Sequence, residues 1–148
     1  MNQNVIDGCE NILRNALNAS SEDSILIISD DPKIEIAKSF YLAAQNFSSE
    51  VFWANYPPPS NGGKEPPVAV ADLMQKHDVF IAPTFQSITH TKARKNACKN
   101  GARGMTLPGV TTEILTGPPT NTDYSKVAKA AQKLAQRLNG TATVKLTS

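Results

Sequence analysis

No stretch of this sequence is long and apolar enough to cross a bilayer. Its longest apolar runs, Ile25 to Ile28 and Pro66 to Ala71, fall far short of the roughly 20 residues that a span requires. Cysteine is scarce: Cys9 and Cys98 lie far apart without metal-type spacing, which favours two buried free thiols over a disulfide or a zinc site. Aromatic residues make up only 6% of the chain and are not interleaved with its basic stretch, as a nucleic-acid platform would require. Charge of one sign is missing too. Fifteen Lys and Arg face 13 Asp and Glu, and a formal net charge of +2 gives no field that selects a nucleic acid or a membrane surface. No partner of either kind is expected. The opening residues MNQNVIDGCENIL hold neither a basic leader nor a continuous apolar block, so no secretory or transit signal is read there and the expected setting is cytoplasmic. Asn-x-Ser/Thr triplets at Asn18, Asn46 and Asn139 carry no weight in that compartment.

What is present suits one globular domain. The 148 residues are enough for one core and too few for two ordinary ones, and a hydrophobic share of 40% excludes disordered and fibrous classes. The hydrophobic period alternates between about 3.6 residues and short continuous runs, the pattern of helices alternating with buried strands. A first helix is expected from Gln3 to Ala19, then a strand at Ile25 to Ile28. Asp30 or Asp31 caps a second helix that opens with Pro32 and ends near Asn46. A second strand, Val51 to Tyr56, leads into the proline- and glycine-rich loop Tyr56 to Pro67, long enough to be a lid or an interaction surface. A third helix, Val68 to His77, precedes the strand Val79 to Ala82. A fourth, capped by Ser87, runs to Asn100 with Gly101 at its exit, and the strand Ala102 to Leu107 and a helical turn at Thr111 to Thr116 follow. The last helix is capped by Thr122, carries the stripe Val127, Ala131, Leu134 and Leu138, and ends at Asn139-Gly140. Thr143 to Thr147 alternates like a fifth strand, and with nothing after Ser148 to close the sheet the chain reads as truncated. The expected fold is therefore α/β: a three-layer, doubly wound, mostly parallel five-stranded sheet of Rossmann-like or flavodoxin-like order 2-1-3-4-5, forming a single domain over residues 1–148.

In such a sheet a ligand lies at the carboxyl ends of the strands, where the winding direction reverses between the first and third. The residues expected at that crevice are Asp30 and Asp31 after the first strand, and Thr84, Ser87, Thr89, His90, Thr91 and Arg94 after the third. No Gly-x-Gly-x-x-Gly turn or Walker-type lysine loop occurs, which disfavours dinucleotides. Asp30 and Asp31 either receive an amine or metal or cap a helix. The segment from Ser87 to Arg103 holds Lys92, Arg94, Lys95, Lys99 and Arg103 with no acidic residue. At helical spacing His90 and Arg94 lean toward the sheet, where a carboxylate could be held, while Lys92, Lys95 and Lys99 point to solvent. A lone histidine is otherwise a hydrogen-bonded structural residue, His77 reads as a cation at a helix end, and Ser87 lacks the strand-turn elbow of a nucleophile.

Two segments, GGKEPPVAVADLM from Gly62 and DVFIAPTFQSITHTKARKNACKNGARGMTLPGVTTEIL from Asp78, give the chain a family resemblance. With the ordered set Ser87, Thr89, His90, Thr91, Arg94, then Gly101-Ala102-Arg103 and Pro108-Gly109, it resembles the N-terminal half of aminopeptidase T-like metallopeptidases, the leucyl aminopeptidase relatives. The likeness covers nearly the whole chain. It implies a two-part enzyme whose divalent metal (zinc, cobalt, magnesium or manganese) is held by Glu, His, Tyr and Asp residues of the C-terminal half, positions with no counterpart here. Relatives of that family include a pyridine-ring dioxygenase. The resemblance thus implies a fold and a parent activity but no catalytic residue and no cofactor in this chain, with a metal-bearing C-terminal half as partner. Thr89, His90, Thr91 and Arg94 would line the face between the halves. Two other readings stand beside it. One is a free-standing module for an amino acid or peptide, with Asp30 meeting the amine and Arg94 the carboxylate. The other is an assembly domain, including a homo-oligomer, that recruits another chain through the loop Tyr56 to Pro67 and the edge near Val144.

Overall fold

Strands joined through helices run parallel, because each crossover returns the chain to the same end of the sheet. The computed structural model of the protein describes residues 2–122, 124–141, 143–145 and 147. In it β1 (Ile25–Asp30), β2 (Val51–Tyr56), β3 (Val79–Ala82) and β4 (Arg103–Thr106) form one parallel sheet in the order β2-β1-β3-β4. Alternate side chains of these strands serve opposite faces, and each face has its own apolar layer. Ile25, Ile27, Val79 and Ile81 pack with Cys9 and Leu13 of α1 (Gln3–Asn15), Phe40 of α2 (Ile34–Ala44) and Leu115 of α5 (Thr112–Thr116). Leu26, Ile28, Phe80 and Ala82 pack with Val70 and Met74 of α3 (Val68–Lys76) and Ala93 and Ala97 of α4 (Lys92–Lys99). The result is a three-layer α/β fold.

The sheet has four strands in the order 2-1-3-4, which corrects the expected five-stranded order 2-1-3-4-5. Residues 143–145 and 147 carry no strand, and Leu146 lies outside the described residues. Alternation over so few residues needs a core face to bury, and Val144 is 62% exposed. The preceding helix, α6 (Tyr124–Leu138), buries no residue: Val127, Leu134 and Leu138 of its apolar stripe are all exposed. The Thr122 hydroxyl donates to the Pro118 carbonyl at 2.8 Å, and the residue between Thr122 and α6 lies outside the described set. No helix among the described residues is long and apolar enough to cross a membrane.

Several element ends differ from the periodic reading for local reasons. α1 stops at Asn15, and the chain turns through Asn18 at φ 49°. Pro32 opens a short 3-10 turn, Asp31–Lys33, before α2 proper. α4 begins at Lys92 rather than near Ser87, capped by Thr91, whose hydroxyl accepts the Arg94 N–H at 3.3 Å. It ends where Gly101 takes φ 105°, a conformation that suits glycine. Cys9 and Cys98 are free thiols. Cys9 is buried, and burial, with the Glu10 charge second, pushes its thiol well above the usual range, whereas Cys98 is only half-buried.

At the amino edge of the sheet, loops are tied by charge. Arg103, within the expected fourth strand, starts β4, and its guanidinium donates to the carbonyls of Leu17 (3.0 Å) and Asn18 (2.7 Å) and to the Asp23 carboxylate. Burial opposes the charged form of Asp23, but the bonds from Arg103 and Ser20 and the guanidinium charge outweigh it and hold the carboxyl below its usual range. Asp78 accepts the N–H and hydroxyl of Ser24 at 2.9 and 2.7 Å, and its carboxyl is likewise lowered, first by that backbone bond.

Two outcomes follow. A Cβ at Gly8 would lie 1.9 Å from the Leu115 carbonyl oxygen, so Gly8→Ala should force α1 and α5 apart. Chemical denaturation should show a loss of about 1–3 kcal/mol, and an unchanged midpoint would contradict this close approach. Because Asp23 and Asp78 have depressed folded-state pKa values, their contribution is present above the ordinary carboxylate range and is lost as pH falls through the lowered values. The thermal midpoint should be flat from about pH 7 to 5 and drop below about pH 4, less steeply in Asp23→Asn; equal slopes would remove Asp23 from the account.

Candidate functional site

The carboxyl ends of β1 and β3 lie side by side where the winding reverses, so the residues that follow them share one rim. Asp30 is the last residue of β1, and strand alternation puts it on the same face as Leu26 and Ile28. It is fully buried. Both carboxylate oxygens lie 2.8 Å from the Phe85 nitrogen and accept its N–H, and Oδ2 also accepts the Gln86 N–H at 3.1 Å. The expectation that Asp30 caps the next helix is corrected: neither that helix nor the 3-10 turn has a side-chain cap, and the carboxylate is committed to the loop after β3. Asp31 is exposed and accepts the Asn55 amide at 2.7 Å.

The parallel register sets Asn55 beside Ser29 and Tyr56 beside Asp30. A chain of hydrogen bonds crosses β1 and β2 on one face: Trp53 Nε1 donates to Ser29 Oγ at 2.8 Å, and Ser29 Oγ donates to Asn55 Oδ1 at 2.7 Å. Asn55 passes it on to Asp31. On the opposite face the Tyr56 hydroxyl is buried without a hydrogen-bond partner. Burial first, and the Asp30 charge second, push its pKa up to about 12. An unpaired buried hydroxyl of this kind costs about 1–3 kcal/mol.

The loop after β3 is held by its own hydroxyls. Thr84 Oγ1 donates to the Gln86 carbonyl at 2.6 Å and Ser87 Oγ to Thr89 Oγ1 at 3.0 Å, while Thr89 Oγ1 meets Thr106 Oγ1 across to β4 at 2.8 Å. Thr91 is buried, caps α4 and donates to the Ile88 carbonyl at 2.8 Å. Arg94 is half-buried, with Nε on the Thr89 carbonyl at 2.8 Å. His90 departs from expectation: it precedes α4 rather than sitting on it, and it is exposed instead of leaning toward the sheet. Ser87 bonds Thr89, so no Ser–His pair forms. His77 is buried, with Nδ1 at 2.7 Å from the Leu73 carbonyl and its ring edge-on to Phe52.

One further carboxylate reaches this rim from the long loop. Glu65 accepts the N–H groups of Lys92 (2.6 Å) and Ala93 (3.0 Å), the orphan donors of the first turn of α4. Those two bonds hold its carboxyl below the usual range, aided by the Lys92 and Lys95 charges. Sequence reasoning missed Trp53, Asn55, Tyr56, Glu65 and Thr106. Parallel pairing of the first two strands would have pointed to Asn55 and Tyr56; nothing in the order of residues marks Glu65. Among the described residues no group of three or more His, Cys, Asp or Glu side chains could hold a metal ion. A groove of about 490 Å³ between the end of α1 and the start of α6, lined by Arg14, Asn18, Tyr124 and Ala128, includes none of these rim residues.

The rim therefore presents a hydroxyl-rich, internally bonded surface with one exposed imidazole. Asp30→Ala would leave the Phe85 and Gln86 N–H groups without the carboxylate they donate to. It should cost roughly 2–4 kcal/mol in urea denaturation and release those two amides to hydrogen exchange; retained protection would show that Asp30 does not hold the loop.

No family model and no curated protein matches this chain. Among solved structures, 2,5-dihydroxypyridine dioxygenase from Pseudomonas putida is similar over 74% of this chain and 35% of that one, at 14% identity and a TM-score of 0.59. Wild-type AmpT from Thermus thermophilus is similar over 77% of this chain and 41% of that one, at 11% identity and a TM-score of 0.50. The chain thus spans well under half the length of either, and the likeness is one of fold.

Proposed function

We propose that this chain is the N-terminal, non-metal-binding domain of an aminopeptidase T-like, leucyl aminopeptidase-like metallopeptidase, and that it is inactive by itself. The observation that carries this reading is the match of its three-layer fold to 41% of AmpT, joined to the Ser87–Arg94 segment at the rim where such a domain would face a second half. Metal-assisted hydrolysis needs several O or N ligands converging on one open position with a polarised water. The described residues do not fit such a centre: His77 is buried against the Leu73 carbonyl, and His90 has no cluster of partners around it. No hydrolytic step is therefore routed through this chain. Its contribution would be a rigid face, with Thr89, Thr91 and Arg94 fixed by mutual hydrogen bonds and the His90 imidazole exposed toward the partner.

An independent amino-acid module is less well supported, because the Asp30 carboxylate that would meet an amine is buried on Phe85 and Gln86. The 148-residue chain should cleave leucyl-p-nitroanilide with added zinc or cobalt no faster than its His90→Ala variant, and a faster rate overturns the reading. Calorimetry with free amino acids and dipeptides should show no saturable heat; saturable binding would restore the module.

A further inference from the structure

The loop between β2 and α3 does more than connect them. It leaves Tyr56 at the carboxyl end of β2, and at Gly63 its N–H bonds the Ser87 carbonyl at 2.7 Å, in the loop after β3. Two residues later Glu65 reaches the first turn of α4 through the Lys92 and Ala93 N–H groups. Just before the first catch the backbone runs close to the same loop: a Cβ at Gly62 would lie 3.3 Å from Gln86 Oε1. The loop therefore ties the ends of β2, β3 and α4 together from outside.

Those same elements wall in the unpaired phenol. Tyr56 is 7% exposed, in a cluster with Val70 just beyond the loop, Ile88 beside the Ser87 catch and Ala93, whose N–H Glu65 holds. Closure thus satisfies two orphan helix donors and a loop carbonyl, while the Tyr56 hydroxyl in the neighbouring cluster has no hydrogen-bond partner. Opening would free those donors and let water reach the phenol. Two arrangements that each satisfy what the other leaves unpaired are the ingredients of a bistable element.

We propose that residues 57–67 form a releasable strap across the carboxyl rim, shut by the Glu65 and Gly63 catches together and opened in favour of Tyr56 hydration. The Glu65 catch is the weak point. Its carboxylate sits in solvent, facing the Lys92 and Lys95 ammoniums of α4, so water competes for it as it does not for the buried Asp30 bonds. The strap closes on Ser87, Lys92 and Ala93, within the Ser87–Arg94 face proposed above, but its test reads amide exchange and the Tyr56 titration rather than hydrolysis or ligand binding.

Hydrogen exchange on the 148-residue chain tests it. In the wild type the amides of Gly63, Lys92 and Ala93 should exchange at one common opening rate. Glu65→Ala should speed all three at least tenfold, Glu65→Gln less because one acceptor oxygen remains, and neither should alter Ile27 in β1. Because Glu65 is exposed, neither change removes a packed side chain. In Glu65→Ala the Tyr56 titration, read by NMR, should move from about 12 toward that of an ordinary tyrosine. If Lys92 and Ala93 lose protection while Gly63 keeps it, Glu65 is only a helix cap and the strap is refuted. Release of all three amides with Tyr56 unmoved refutes it equally.

Discussion

A buried strand that ends in a carboxylate imposes a demand the rest of this fold is arranged to meet. β1 is sealed along all six residues, four of them isoleucine or leucine, and the sixth is Asp30. An acid taken out of water must be met by donors, and here the donors are backbone N–H groups of the loop after β3. Those bonds anchor the start of the loop at Phe85 and Gln86; further along, Thr89 reaches Thr106 of β4 and Thr91 caps α4. One buried side chain thus ties the end of β1 to the loop after β3 at the rim where ligands of such sheets lie.

The two ends of the sheet are held by different chemistry. At the amino edge, Arg103 joins three acceptors from the segment before β1, the Leu17 and Asn18 carbonyls and the Asp23 carboxylate, and Asp78 holds Ser24. At the carboxyl edge, ion pairing gives way to hydroxyls, amides and single carboxylates on backbone donors. The first edge responds to acid and salt; the second responds to which N–H groups are covered. Ligand sites in parallel sheets belong to the second kind of edge, where the strand ends leave polar backbone to be claimed.

Much of the fold was legible in the residue order because apolar periodicity is a local signal. β3, β2 and α3 fall within a residue of their expected limits, and parallel pairing followed from the helical crossovers. The fifth strand failed because alternation in Thr143 to Thr147 says nothing about whether a neighbour exists to bury one side. For the rim, position was legible and roles were not. Asp30 stood where expected, yet its partners lie 55 and 56 residues away, and no spacing rule links them. A helix capped by Ser87 would lean His90 toward the sheet; with the cap four residues later, at Thr91, His90 precedes the helix and is exposed. The Glu65 contact joins residues 27 and 28 apart through a proline-rich loop, a geometry that propensity cannot convey.

α6 supplies a consequence of its own. A fifteen-residue helix that buries none of its side chains gains little from tertiary burial, and on its own such a length is marginal in water. Its melting should therefore be uncoupled from that of the sheet, giving the molecule a thermal profile with a shallow early phase confined to residues 124–138 and a cooperative later one for everything packed around β1.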